Sequence, residues 1–152
     1  MPARTEIVGE SCMQIGVEAS RAVGNKRVFV IDDDEITRAV LQFMLQDDNE
    51  AHDLPSVDGA LRKAQDWPPD LVLLGLSIVQ SDPQVLTEIG RQLPDTAIVL
   101  VAEAGQAAAA QRWIGHGARG VLSKPLTVEG VRRTVDGTLG LLKSPLIQLQ
   151  VL

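Results

Sequence analysis

The chain has 152 residues, enough for one domain, and 45% of them are apolar, enough to bury a core. Twenty acidic residues against fourteen basic ones leave a net charge of −6, and so acidic a surface repels phosphate backbones and anionic lipid. With only 3% aromatic residues for base stacking, neither direct nucleic-acid binding nor membrane binding is expected.

Residues 1–25 mix Gly, Ser, Glu and scattered apolar residues without a clean period. They read as a leader, flexible or weakly helical, outside the main fold. The leader holds Cys12, the only cysteine, so neither an internal disulfide nor a cysteine-built zinc site is open to this chain. It lacks the apolar block of a secretory signal, and no run reaches the roughly 18 apolar residues of a membrane span. The expected location is the cytoplasm.

From Lys26 the pattern changes. Four apolar runs, RVFVIDDD (27–34), DLVLLG (70–75), TAIVLV (96–101) and GVLSKP (120–125), lack alternation, as strands buried on both faces do. EAHDLP (50–55) fits a short edge strand ending at its proline. Between the runs, helical spacing is marked by Ile36, Val40 and Met44, then by Leu61 and Ala64, then by Val85, Ile89 and Leu93. An alanine-rich helix through Trp113 and Ile114 follows, and a last one carries Val128, Val131, Val135, Leu139 and Leu142. Residues 143–152 form an apolar tail or linker. Strand and helix alternate five times, which predicts an α/β doubly wound sandwich with a parallel sheet. Chemistry in such folds sits beyond the carboxyl ends of the strands, placing Asp32–Asp34, Gly75, Ala102 and Lys124 on one rim.

VFVIDDD, DLVLLG, IVLVAEAG and GARGVLSKP, in that order and spacing, resemble the receiver domains of bacterial two-component signalling over residues 26–142. The resemblance implies a flavodoxin-like (βα)5 sandwich with a five-stranded parallel sheet. It also implies a site in which two acidic residues after the first strand hold Mg²⁺ and an aspartate ending the third strand is the nucleophile. A hydroxyl ending the fourth strand and a lysine ending the fifth hold the phosphoryl oxygens. Asp32 and Asp33 match the acidic pair, although acidic residues before a helix also serve as caps. Lys124, followed by Pro125, matches the lysine.

Three positions depart from the pattern. Gly75 stands where the nucleophile belongs, Ala102 where the hydroxyl belongs, and Val121 where the family has an aromatic residue that swings inward. The expectation is a receiver that works without phosphorylation, a non-enzymatic protein-interaction or dimerisation module. Asp32 and Asp33 would bind Mg²⁺ weakly at best, no other cofactor is implied, and Lys124 is expected to pair with Asp32 or Asp33. The expected partner is a protein or a second copy, met through the fourth helix, fifth strand and last helix (Trp113, Arg132, Arg133, Asp136) or through the tail.

Two alternatives stand beside this. One is regulation by a small ligand or at another phosphosite, for which Ser77, two residues past Gly75, lacks a visible activating base. The other is a haloacid-dehalogenase-like phosphatase, since Asp32–Asp34 after a strand is similar to its Asp-x-Asp; the later acidic pair and the cap domain are missing. His52 and His116 read as isolated surface residues, and Asp82 as the start of the third helix before Pro83.

Overall fold

LVLLG is buried along its whole length, and this strand forms the middle of the sheet. The computed structural model describes residues 26–140. In chain order these form β1 (Arg27–Ile31), α1 (Glu35–Leu45), β2 (Glu50–Leu54), α2 (Val57–Ala64), β3 (Leu71–Gly75) and α3 (Leu76–Ser81). Then come α4 (Gln84–Gln92), β4 (Ala97–Ala102), α5 (Ala107–Gln111), β5 (Gly120–Ser123) and α6 (Val128–Thr138). The five strands are all parallel in the order β2-β1-β3-β4-β5, with EAHDL at one edge as its composition suggested.

Alternation along the strands divides the core in two. Phe29, Ile31, Val72, Leu74, Ile98 and Leu100 pack with residues of α2, α3, α4 and α5. Val28, Val30, Leu71, Leu73 and Val99 pack on the other face with Leu41 and Leu45 of α1 and Val131 and Val135 of α6. Burying each such aliphatic side chain stabilises the fold by roughly 1.5–3 kcal/mol before chain entropy is counted. Side-chain caps start three of the helices: Asp34 accepts from the Ile36 amide at 3.1 Å, Ser56 from Gly59 at 3.1 Å and Thr127 from Gly130 at 3.0 Å. Among the described residues, no helix is long and apolar enough to cross a membrane.

Three helical expectations need correction. In α1 the period is right but the phase is displaced: Thr37, Leu41 and Leu45 face inward, while Ile36 and Val40 are exposed. Leu76–Ser81 is helical, where the apolar spacing suggested a helix only from Val85. The alanine-rich helix ends at Gln111, short of Trp113 and Ile114, because the chain turns through Gly115 and Gly117 at φ of 85° and 119°. The leader with Cys12, Leu142 and the apolar tail lie outside the described residues.

Candidate functional site

The rim is built where four strands end together. Register sets Ile31 beside Leu74, Gly75 beside Val101 and Ala102 beside Ser123, so the residues following β1, β3, β4 and β5 converge. The three aspartates after β1 are differently placed. Asp32 is buried, its Oδ1 accepts the Asp34 amide at 2.9 Å, and its backbone carbonyl accepts Arg38 Nη1 at 2.6 Å. Burial, aided by neighbouring Asp33, pushes its carboxyl up to about 6. Asp33 is exposed and accepts the Ser77 hydroxyl at 3.2 Å. Asp34 caps α1 and also accepts the Thr37 hydroxyl at 2.7 Å, which holds its carboxyl below the ordinary value.

Gly75 closes β3 with its backbone directly under Asp32. A Cβ built there would lie 2.6 Å from Asp32 Oδ2 and 2.8 Å from its Cγ. Ala102, at the end of β4, is fully buried in the core. The Asp32 carboxylate thus fills the space in which a side chain at position 75 would begin.

Lys124 precedes a cis bond to Pro125, and its ammonium is not paired with Asp32 or Asp33 as expected. Nζ donates to Glu103 Oε2 at 2.6 Å and to Thr37 Oγ1 at 2.7 Å, with Asp34 Oδ2 at 3.7 Å. The cause is register: Ala102 and Ser123 are partners, so the next residues, Glu103 and Lys124, leave the sheet side by side. Burial alone would lower the lysine, but Glu103, with Asp34 and Asp32 beyond it, outweighs that and holds it above its ordinary value. Glu103 and Thr37 are the site residues that sequence reasoning missed. Thr37 stands three residues after the capping Asp34, a spacing that brings its hydroxyl back to the cap.

Asp32, Asp33, Asp34, Ser77 and Glu103 line a shallow cleft of about 330 Å³. Among the described residues, no group of three His, Cys, Asp or Glu side chains is arranged to hold a metal ion. With Asp32 turned over Gly75 and no carboxylate at position 75, the residues do not fit the Mg²⁺ site that the resemblance implied.

Outside the rim, Val121 is half-buried against the α2–α5 side of the core. Trp113 is likewise half-buried and borders a groove of about 410 Å³ with Pro83, Thr87, Arg112 and His116. Of the charged residues expected on the outer face of the last helix, Arg133 is exposed, whereas Arg132 and Asp136 are partly buried. Arg132 turns toward the end of α1, Nε lying 2.9 Å from Asp48 Oδ2. Asp136 is partly buried on the same side, its carboxyl raised by burial and then by Asp48. His52 is not isolated: it meets Glu50 at 2.7 Å and stands edge-on to Phe29.

Residues 28–136 match the family model of the response regulator receiver domain. No curated protein sequence matches the chain. Among solved structures, NtrX from Brucella abortus in complex with ATP is similar at 25% identity and a TM-score of 0.70, over 76% of this chain and 27% of that one. The receiver domain of the same protein matches at 25% identity and a TM-score of 0.67, over 74% of this chain and 98% of that one. A response regulator from Thermotoga maritima shares the fold at 17% identity and a TM-score of 0.69, over 76% of this chain and 98% of that one. The chain spans about a quarter of the length of the longer NtrX chains it matches.

Proposed function

The chain belongs to the response regulator receiver family, and on that premise we propose that it serves two-component signalling as a protein-interaction module that accepts no phosphoryl group. The observation that carries this reading is at the end of β3, where Gly75 offers no nucleophile and Asp32 closes over the gap. Phosphoryl transfer is mainly positioning and charge neutralisation, so missing parts cost heavily. Ala102 has no hydroxyl to offer a phosphoryl oxygen, and Lys124 is engaged by Glu103 and Thr37. Val121 is too small to act as an aromatic switch. A rim tied in this way supports a fixed, non-enzymatic scaffold. Trp113 with its groove and Arg133 offer a surface for a protein partner or a second copy.

The test is intact-mass analysis after incubation with acetyl phosphate and Mg²⁺. The expected mass is unchanged, and a gain of one phosphoryl group that is lost in alkaline hydroxylamine overturns the proposal. One observation favours a second reading, regulation at another phosphosite. The Ser77 hydroxyl donates to Asp33, which places a carboxylate base where the sequence suggested none. That reading predicts a hydroxylamine-resistant adduct that disappears in Ser77→Ala.

A further inference from the structure

Two surfaces of opposite charge flank α4. On one side, between α2 and α4, runs a groove of about 550 Å³ whose floor includes Val57, Ile78 and Val85. The carboxylates of Asp33, Asp58, Asp82 and Glu88 stand around it, and among the described residues no Lys, Arg or His lines it. Glu88 is met by Arg91, but among the described residues no basic side chain pairs with the other three. Nor, among the described residues, do three carboxylates gather to hold a metal ion. Carboxylates spread around an apolar floor suit arginine, whose stem covers apolar surface while its head meets the charge. On the other side of α4, past Pro83 and Thr87, lies the loop that follows α5. Residues 104–128 contain no Asp or Glu. Arg112, His116 and Arg119 are exposed on this loop, and Ile114, 38% exposed, stands among them. The loop is held in shape, the Gly115 amide donating to the Ala118 carbonyl at 3.2 Å and the His116 amide to the Trp113 carbonyl at 2.9 Å. A loop ordered in advance loses little freedom on docking.

We propose that the acidic groove receives the basic loop 112–119 of a second copy of this chain. The net charge of −6 conceals the match, because the acidic residues are unevenly spread and leave this one loop basic. Gln84, Val85 and Glu88 line the groove, whereas Pro83 and Thr87 border the loop, so the same stretch of α4 separates the two surfaces. A two-fold arrangement about that stretch brings groove to loop twice, once in each direction, which closes the assembly as a dimer. Arg112 and Arg119 then meet carboxylates that lack a basic partner within their own chain, and Ile114 meets the apolar floor. The inference rests on the reading of this chain as an interaction module. It does not rest on the loss of phosphorylation, which the mass measurement tests separately.

The test is sedimentation velocity of the full chain. The wild type should sediment as a dimer at low ionic strength and dissociate in about 1 M salt, which screens such contacts. Arg112→Glu/Arg119→Glu and Asp58→Arg/Glu88→Arg each set like charges against each other, and each alone should be monomeric with unchanged circular dichroism. Mixed in equal amounts, the two variants should form a heterodimer, because the exchanged charges again oppose. A monomeric wild type at low salt would overturn the proposal, as would a dimer that survives either reversal or a mixture that stays monomeric. Species larger than a dimer would overturn the two-fold arrangement. Should a reversal unfold the chain, the milder Asp58→Asn/Glu88→Gln still decides. It should weaken the dimer about tenfold, and an unchanged dissociation constant would sink the proposal.

Discussion

A side chain at position 75 would begin 2.6 Å from Oδ2 of Asp32. The Gly75 backbone, at φ −61° and ψ 133°, is open to any residue, so the obstacle is the carboxylate alone. Gly75→Ala should therefore destabilise the protein by about 1–2 kcal/mol, because Asp32 must move and give up the Asp34 amide. In an Asp32→Ala background the same change should cost little. Denaturant unfolding of the four proteins measures the coupling. Zero coupling would mean that the carboxylate rotates aside freely.

Restoring the nucleophile meets the same obstacle. Gly75→Asp should regain phosphorylation weakly, since the new carboxylate must displace Asp32 and Ala102 still lacks a hydroxyl. Adding Ala102→Thr should raise incorporation further, groups in one site acting non-additively. Intact-mass time courses with acetyl phosphate compare the variants. If Gly75→Asp alone behaved as an ordinary receiver, Ala102 would be irrelevant.

The strands were legible because each is a short apolar run between turn residues, and the rim followed from their order. Other features depend on three-dimensional context. Ile36, Val40 and Met44 have the same period as Thr37, Leu41 and Leu45, and a threonine on the buried side hid the phase. The Lys124–Glu103 pair comes from the Ala102–Ser123 register, which no local pattern announces. Asp32 over Gly75 is a vacancy filled by a neighbour, visible only once the backbones are in place.

Asp32 should leave a mark on the pH dependence of stability. Its carboxyl is raised from 3.8 to about 6, chiefly by burial, so between these values the folded state holds more protons than the unfolded one. Stability then falls as pH rises through this window, and the penalty is complete above it. Asp32→Asn keeps an acceptor for the Asp34 amide and removes the buried charge. It should stabilise the protein at pH 7 by on the order of 1–3 kcal/mol, with the gain vanishing below about pH 4. Urea midpoints from pH 3.5 to 8 would show it, and a gain independent of pH would assign the effect to packing.

Lys124 joins β5 to α1 and to the end of β4, through one buried partner and one exposed partner. Thr37 is buried and relays to Asp34, whereas the Glu103 side chain is 70% exposed. An ion pair with so exposed a carboxylate contributes little, up to about 1 kcal/mol, and salt screens it. Lys124→Ala should thus cost about 1 kcal/mol, well below the 3–5 kcal/mol typical of breaking a buried pair. In double-mutant cycles Thr37→Val should couple to Lys124→Ala more strongly than Glu103→Gln does, and only the Glu103 coupling should fade in 1 M salt. Asp33→Asn should show none, since Asp33 faces Ser77 instead. A coupling to Asp33 as large as that to Thr37 would place the lysine inside the acidic pair and refute the arrangement described above.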